Sequence, residues 1–170
     1  MDVRQARDHR RNPFTTSPQG GRFLSALQVP WFTSMPPKGF GVLTTVGRKT
    51  GQPRRTCVRA VRVGSTAYLA AIRGPAAGWL RNLLAQPKVR LRIRGGTYSG
   101  QARELPPGEL EVAQEAYCAT LHPLDRIEYV LHMPGFPTRE RIRKLHQHWF
   151  TTGVPVAIDL DREPTEPTST

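Results

Sequence analysis

Between Lys88 and Arg94, apolar and basic residues alternate without a break: Val89, Leu91 and Ile93 against Lys88, Arg90, Arg92 and Arg94. A period of two fits a strand with one face in a core and the other in water, not a helix of period 3.6. Gly95-Gly96 then reverses the chain into a second extended run, Thr97–Leu105. Phe40–Val46 reads as a buried strand, and Gly47–Pro53 as the turn that follows it. Arg54–Val63 and Thr66–Ile72 flank Gly64-Ser65, a two-residue hairpin signal. Gly153–Leu160 supplies a last strand. Helices are fewer. Trp79–Gln86 is ended by Pro87. Glu109–Leu121 opens on an acid, as helix N-termini favour, with Leu110, Ala113 and Tyr117 on one face. Thr138–Phe150 carries Ile142, Leu145 and Trp149 at helical spacing. Gly21–Phe32 reads as a short amphipathic helix stopped before Pro30. Short antiparallel strands with few helices predict a mainly β, α+β domain: a small β-barrel with helices packed outside.

The 170 residues suit one domain. Residues 1–20 read as a flexible Arg-rich start, 21–160 as the barrel domain, and 161–170 as a disordered Pro/Thr-rich tail. No apolar run is long enough for a transmembrane helix. The first residues lack the apolar stretch of a secretory signal. Two cysteines, Cys57 and Cys118, make no disulfide framework. These features together predict a cytoplasmic protein.

Charge is distributed unevenly. The net charge is +12, yet from His9 to Arg103 seventeen Lys and Arg face no Asp or Glu at all. From Glu104 to Thr170 eleven acids outnumber six bases. The first half therefore presents a positive field suited to phosphate or carboxylate ligands. It also lacks the carboxylates that acid/base catalysis or hard-metal ligation would need there.

The densest part of that field is Gly47-Arg48-Lys49-Thr50-Gly51-Gln52-Pro53-Arg54-Arg55. Two glycines permit a tight turn whose amides can converge on an anion, and four cations lie within eight residues. The spacing is not that of a P-loop, since no Gly-Lys-Ser/Thr triplet follows. On composition alone, an anion site and a solvated basic hairpin turn fit equally well. His146 and His148 lie two apart on a helix and point to different faces, so no metal site is expected. The Lys88–Arg94 stripe has no interleaved aromatics to stack bases, so it reads as a solvent face and no nucleic-acid partner is expected. The Arg-rich start, with Phe14, makes peripheral membrane contact through the N-terminus conceivable.

Leu43-Thr44-Thr45-Val46-Gly47-Arg48-Lys49-Thr50-Gly51-Gln52-Pro53-Arg54 resembles the LTTxGRKSGxxR segment of the deazaflavin-dependent nitroreductase family, found in actinobacteria and relatives. Tyr68–Gly74 followed by Trp79–Val89 resembles a second family motif, YLVASxGG…WxxNLxANPxV. The resemblance implies a split β-barrel of the FMN-binding type and coenzyme F420 as the redox cofactor. FMN is the alternative, but its single phosphate leaves the surplus of cations unexplained. It implies that Arg48, Lys49, Thr50, Gly51, Arg54 and Arg55 hold phosphate and glutamate tail. Val42, Leu43 and Thr44, with Ala70, Ala71, Ile72, Arg73 and Gly74, would line the ring, and Trp79 and Asn82 would close the site. Trp31, Phe32 and Trp79 would border a small-molecule acceptor: an enone, imine, quinone or nitro compound. His122 or Tyr129 would donate a proton; Tyr117 is a third candidate. The chain departs from the nitro-reducing members at Ile72, where they carry Ser, and at His122, Asp125 and Glu128, where their lid tyrosines fall. The resemblance leaves monomer and homodimer both open.

Overall fold

The alternation read in Lys88–Arg94 recurs around a ring of six strands, so that every second side chain enters a shared interior. The computed structural model describes residues 36–161. β1 (Phe40–Val46), β2 (Pro53–Val63), β3 (Thr66–Ala71), β4 (Lys88–Ile93), β5 (Gly96–Glu104) and β6 (Val154–Leu160) close into an antiparallel barrel. Their order around it is β1-β2-β3-β6-β5-β4. Register assigns the faces. Val42 stands opposite Cys57 and Arg92, and Thr44 opposite Arg55 and Arg90, all facing outward. Leu43 and Leu91 pair facing inward. With Val58, Leu69, Val89, Tyr98 and Ile158 they fill the barrel. α1 (Gly78–Ala85), after a 3-10 turn at Gly74–Ala76, adds Leu80 and Leu83 to the same core. Each such side chain contributes about 1.5–3 kcal/mol by leaving water.

Three helices cover part of the outside. α2 (Leu110–Ala119) and α4 (Arg139–Thr152) pack Ala113, Tyr117, Cys118 and Phe150 on Val61, Tyr68 and Ala157. Leu110 is 37% exposed, so only Ala113 and Tyr117 of the expected face are buried. Ile142, Leu145 and Trp149 are buried as their spacing predicts. Thr138 caps α4 by accepting from the Arg141 N–H. α3 (Leu124–His132) is a helix the sequence reading did not assign. It begins beside Pro123; Asp125 and Tyr129 are its buried residues, while Ile127, Val130 and Leu131 are exposed. Gly21–Phe32 and both termini fall outside the described residues.

Two strands approach each other too closely for a side chain at Gly100. A Cβ there would stand 2.6 Å from the Asp159 carbonyl oxygen and 3.0 Å from Ile158 Cγ2. Gly100→Ala is expected to cost about 1–3 kcal/mol by forcing β5 from β6. Urea unfolding reads this directly; an unchanged midpoint would mean the strand pair yields freely.

Candidate functional site

The basic turn between β1 and β2 is built by its own backbone. Gly47 N–H donates to the Gln52 carbonyl at 2.8 Å, and Thr50 and Gly51 N–H donate to the Gly47 carbonyl at 3.1 and 2.7 Å. Gly51 takes φ 67°, which a side chain would resist. Arg48 donates from its backbone N–H and from Nη1 to Asn82 Oδ1, at 3.3 and 3.1 Å. Asn82 Nδ2 in turn donates to Thr45 Oγ1 at 3.2 Å. Asn82, buried on α1, therefore latches the turn to the barrel end. The amides of Gly47, Arg48, Thr50 and Gly51 are thus already engaged within the protein. The side chains present the charge instead. Arg48, Lys49, Arg54 and Arg55 are exposed. Among the described residues, the ion pairs involve other groups.

β3 runs antiparallel to β2, so its C-terminal end lies at the same end of the barrel as this turn. The loop Ile72–Gly74 and α1 follow there. Ala71 and Leu43 point into the barrel and can offer a ligand only their backbone. Ala70 is half-buried on the outer face, Ile72 is 43% exposed and Arg73 half-buried. Gly74 is buried with φ 54°. Trp79 is half-buried against the barrel core. Val42, Thr44 and Arg55 border a cavity of about 1370 Å³ on the outer face, with Lys88, Arg90 and Arg92 along its side. The basic stripe is thus a groove wall, and Arg92 Nη1 donates to Thr97 Oγ1 at 3.4 Å.

His122 lies edge-on to Phe40, at the start of β1, with ring centroids 6.2 Å apart. Its Nδ1 accepts from Leu124 N–H at 3.2 Å, which leaves the ring proton on Nε2. Tyr129 is buried with Ile142, Leu145 and Trp149, and its hydroxyl donates to the Pro134 carbonyl at 3.4 Å. Tyr117 is wholly buried. Trp31 and Phe32 fall outside the described residues. Burial pushes the Cys57 thiol up to about 12, which removes it as a nucleophile.

Sequence reasoning missed the most polar buried feature, where α3 meets β2. Arg59 Nη1 donates to Asp125 Oδ1 at 2.7 Å, with both side chains out of solvent. Arg59 Nη2 donates to the carbonyls of Tyr117 and Thr120. Asp125 Oδ2 accepts from His122 N–H at 2.6 Å. Glu128 and His146 adjoin the pair, and their ligand atoms and that of Asp125 lie within 4.8 Å of one another. The cation Asp125 holds is the Arg59 guanidinium, so this cluster reads as an ion pair. Burial pushes Glu128 up to about 7 against the pull of Arg59. Burial, then Arg59, depresses His146 to about 3. The two shifts oppose each other in stability. A raised carboxyl stabilises the fold at low pH, and that contribution is lost as pH rises from 4.5 to about 7. A depressed imidazole destabilises the fold as pH falls from 6.5 toward about 3. Over their shared window the slopes offset. Glu128→Gln should uncover the histidine slope, so that stability rises by roughly 2–3 kcal/mol between about pH 4 and 6.5. Urea midpoints across pH test it; parallel profiles for variant and wild type would refute it.

The profile of the family described as F420H(2)-dependent quinone reductase matches residues 23–119. Among solved structures, a heme binding protein from Mycobacterium smegmatis aligns at TM-score 0.50 and 15% identity, covering 73% of this chain and 47% of that one. The chain thus spans about half that protein's length. A putative 5-nitroimidazole antibiotic resistance protein from Bacteroides thetaiotaomicron aligns at TM-score 0.50 and 12% identity, over 78% of this chain and 80% of that one. A conserved hypothetical protein from Mycobacterium tuberculosis gives TM-score 0.50 and 16% identity, over 86% and 92%. At these identities the structures bear on the fold alone. The barrel with peripheral helices is the split-barrel, FMN-binding-like fold that the sequence implied.

Proposed function

This chain belongs to the F420H(2)-dependent quinone reductase family, and from that premise we propose that it uses reduced coenzyme F420 to reduce an organic acceptor. Its place among split-barrel oxidoreductases makes hydride transfer to a small molecule the chemistry to test. When bound, the deazaflavin supplies the hydride, leaving the protein to bind, orient and shape the field. The observation that carries the choice of coenzyme is the Asn82-latched turn. It holds Arg48, Lys49, Arg54 and Arg55 in solvent with no carboxylate paired to them among the described residues. Such a donor set fits a ligand with several negative charges, a phosphodiester and glutamates, better than one phosphate.

In this reading Arg48, Lys49, Thr50, Arg54 and Arg55 hold the anionic part. The backbones of Val42–Thr44 and Ala70–Gly74 flank the ring, with Trp79 beside them. Asn82 acts through Arg48 and positions the turn. Where the acceptor needs a proton, His122 Nε2–H is the candidate, since the Tyr129 hydroxyl is committed to Pro134. The acceptor class is an enone, imine, quinone or nitro compound.

A fluorescence titration of purified protein with coenzyme F420 and with FMN tests the assignment. Coenzyme F420 should bind at micromolar concentration and about tenfold or more tighter than FMN, about 1.4 kcal/mol. Tighter binding of FMN would favour the flavin reading, and binding of neither would remove the oxidoreductase assignment.

A further inference from the structure

A second basic surface lies beside the turn. α2 and α4 cover the outer faces of β2, β3 and β6 through Val61, Tyr68 and Ala157. The outer face of β1, β4 and β5 instead borders the cavity of about 1370 Å³. Register lays this face out in rows. Arg55, Thr44, Arg90 and Ser99 stand side by side on β2, β1, β4 and β5. In the neighbouring row Val42 adjoins Arg92, which donates to Thr97. Lys88 stands beside Gln101 and continues the basic column of β4. Successive members of that column are two residues apart on a strand, about 7 Å.

Charges within the groove do not cancel. Asp159 accepts from Arg103 Nε at 2.7 Å and from Thr66 Oγ1 at 3.0 Å, and Arg103 also holds Glu109. That leaves Asp161, at the β5 side, as the acid facing the β4 column among the described residues of the wall. The chain from His9 to Arg103 contains no Asp or Glu, so β1, β2 and β4 themselves bring no counter-charge. Lys88 and Arg90 are exposed, and the ion pairs among the described residues involve other groups. Between and beside them lie hydroxyl and amide groups, Thr44, Ser99 and Gln101, which can hydrogen-bond an oxyanion and carry no charge. A guanidinium and an ammonium over such a floor suit a carboxylate, with Arg90 supplying the planar fork.

Position separates this pair from the coenzyme's anions. The turn and Arg55 already supply the cations assigned to phosphate and glutamates. Arg90 lies across Thr44 from Arg55, two strand spacings or roughly 10 Å away. Val42 and Thr44, whose backbone is assigned to the ring, themselves border the groove. A molecule anchored at Arg90 would therefore lie alongside the ring. We propose that the acceptor carries an acid group ionised at neutral pH, and that Arg90 and Lys88 hold it. The inference rests on the deazaflavin reading for the position of the ring. The reduction takes place at another part of the acceptor. A hydride and a proton add there, the coenzyme is oxidised by the same two electrons, and the acid group keeps its charge.

Calorimetric titration with 2-naphthoate and 2-naphthamide tests this. The two are redox-inert, share one ring system and differ in charge. With the full chain saturated in oxidised coenzyme F420, naphthoate should bind roughly tenfold tighter than naphthamide, and added salt should shrink the difference. Lys88→Gln with Arg90→Gln should abolish that roughly tenfold advantage while naphthamide and the tailed coenzyme stay within about twofold of wild type, with thermal unfolding kept. Naphthoate that binds no better than naphthamide overturns the proposal, as does an advantage that survives in the double variant. Competition between naphthoate and the tailed coenzyme, or loss of tailed-coenzyme affinity in the variant, would assign the column to the tail and overturn it too. Coenzyme that binds beside a groove indifferent to charge sinks this inference alone; coenzyme that does not bind sinks the deazaflavin reading and this inference with it.

Discussion

Asp125→Ala should lower stability by about 3–5 kcal/mol, the cost of leaving a buried charge without its partner. Arg59 is 8% exposed, and its guanidinium has no route to water once Asp125 is gone. Its remaining contacts are the Tyr117 and Thr120 carbonyls and the faces of the Phe40 and Tyr117 rings, 5.5 and 5.2 Å away. These disperse the charge without neutralising it. The same substitution also leaves His122 N–H, which Asp125 Oδ2 holds at 2.6 Å, without its acceptor. Asp125→Asn retains hydrogen bonding and should cost less. Arg59→Met with Asp125→Leu removes both charges and should restore most of the loss, since a buried pair contributes little against well-packed apolar groups. Urea unfolding of the four proteins measures each difference. A loss below about 1 kcal/mol for Asp125→Ala would mean the pair is solvated and α3 is not pinned inward.

That pair also marks where sequence reading reaches its limit. Strands with a strict period declared themselves: Val89, Leu91 and Ile93 can share a face only in an extended chain, and β4 carries them inward. Glycine turns at Gly64 and Gly95 fixed the hairpins, because φ of 60° and 101° there is open to few other residues. α3 broke the rule on which helix reading rests. Its Ile127, Val130 and Leu131 are exposed while Asp125 is buried beside Tyr129, so the hydrophobic pattern gave no orientation. The partner that reverses it, Arg59, lies 66 positions upstream, beyond any local period. The basic turn was legible as charge but not as geometry. Two glycines suggested free amides, whereas Asn82, 34 positions away, and the Gln52 carbonyl engage them. Asn82 was read from the motif as a wall of the site; its hydrogen bonds make it the latch.

Lys49→Ala combined with Arg54→Ala should weaken binding of coenzyme F420 carrying its glutamate tail by roughly 100-fold, and of the same ring without the tail by roughly tenfold or less. These two are chosen because Arg48 serves the latch, and its loss would shift the turn as well as its charge. Lys49 is exposed, and among the described residues Arg54 Nη2 donates to Thr50 Oγ1, at 3.5 Å. Removing them subtracts charge from an otherwise intact turn. Each charge-assisted contact contributes about 1.5–3 kcal/mol at best, and less in solvent, so the pair accounts for about two decades of affinity. Salt supplies an independent reading. With a Debye length of about 8 Å at physiological ionic strength, added salt should weaken the tailed coenzyme in wild type and far less in the double variant. Asn82→Ala gives the contrast. It leaves every cation in place and loosens the turn, so tailed and tailless ligands should lose affinity together. Equal losses for both ligands in Lys49→Ala/Arg54→Ala would place the tail elsewhere, and the basic wall of Lys88, Arg90 and Arg92 beside Arg55 would be the next surface to neutralise.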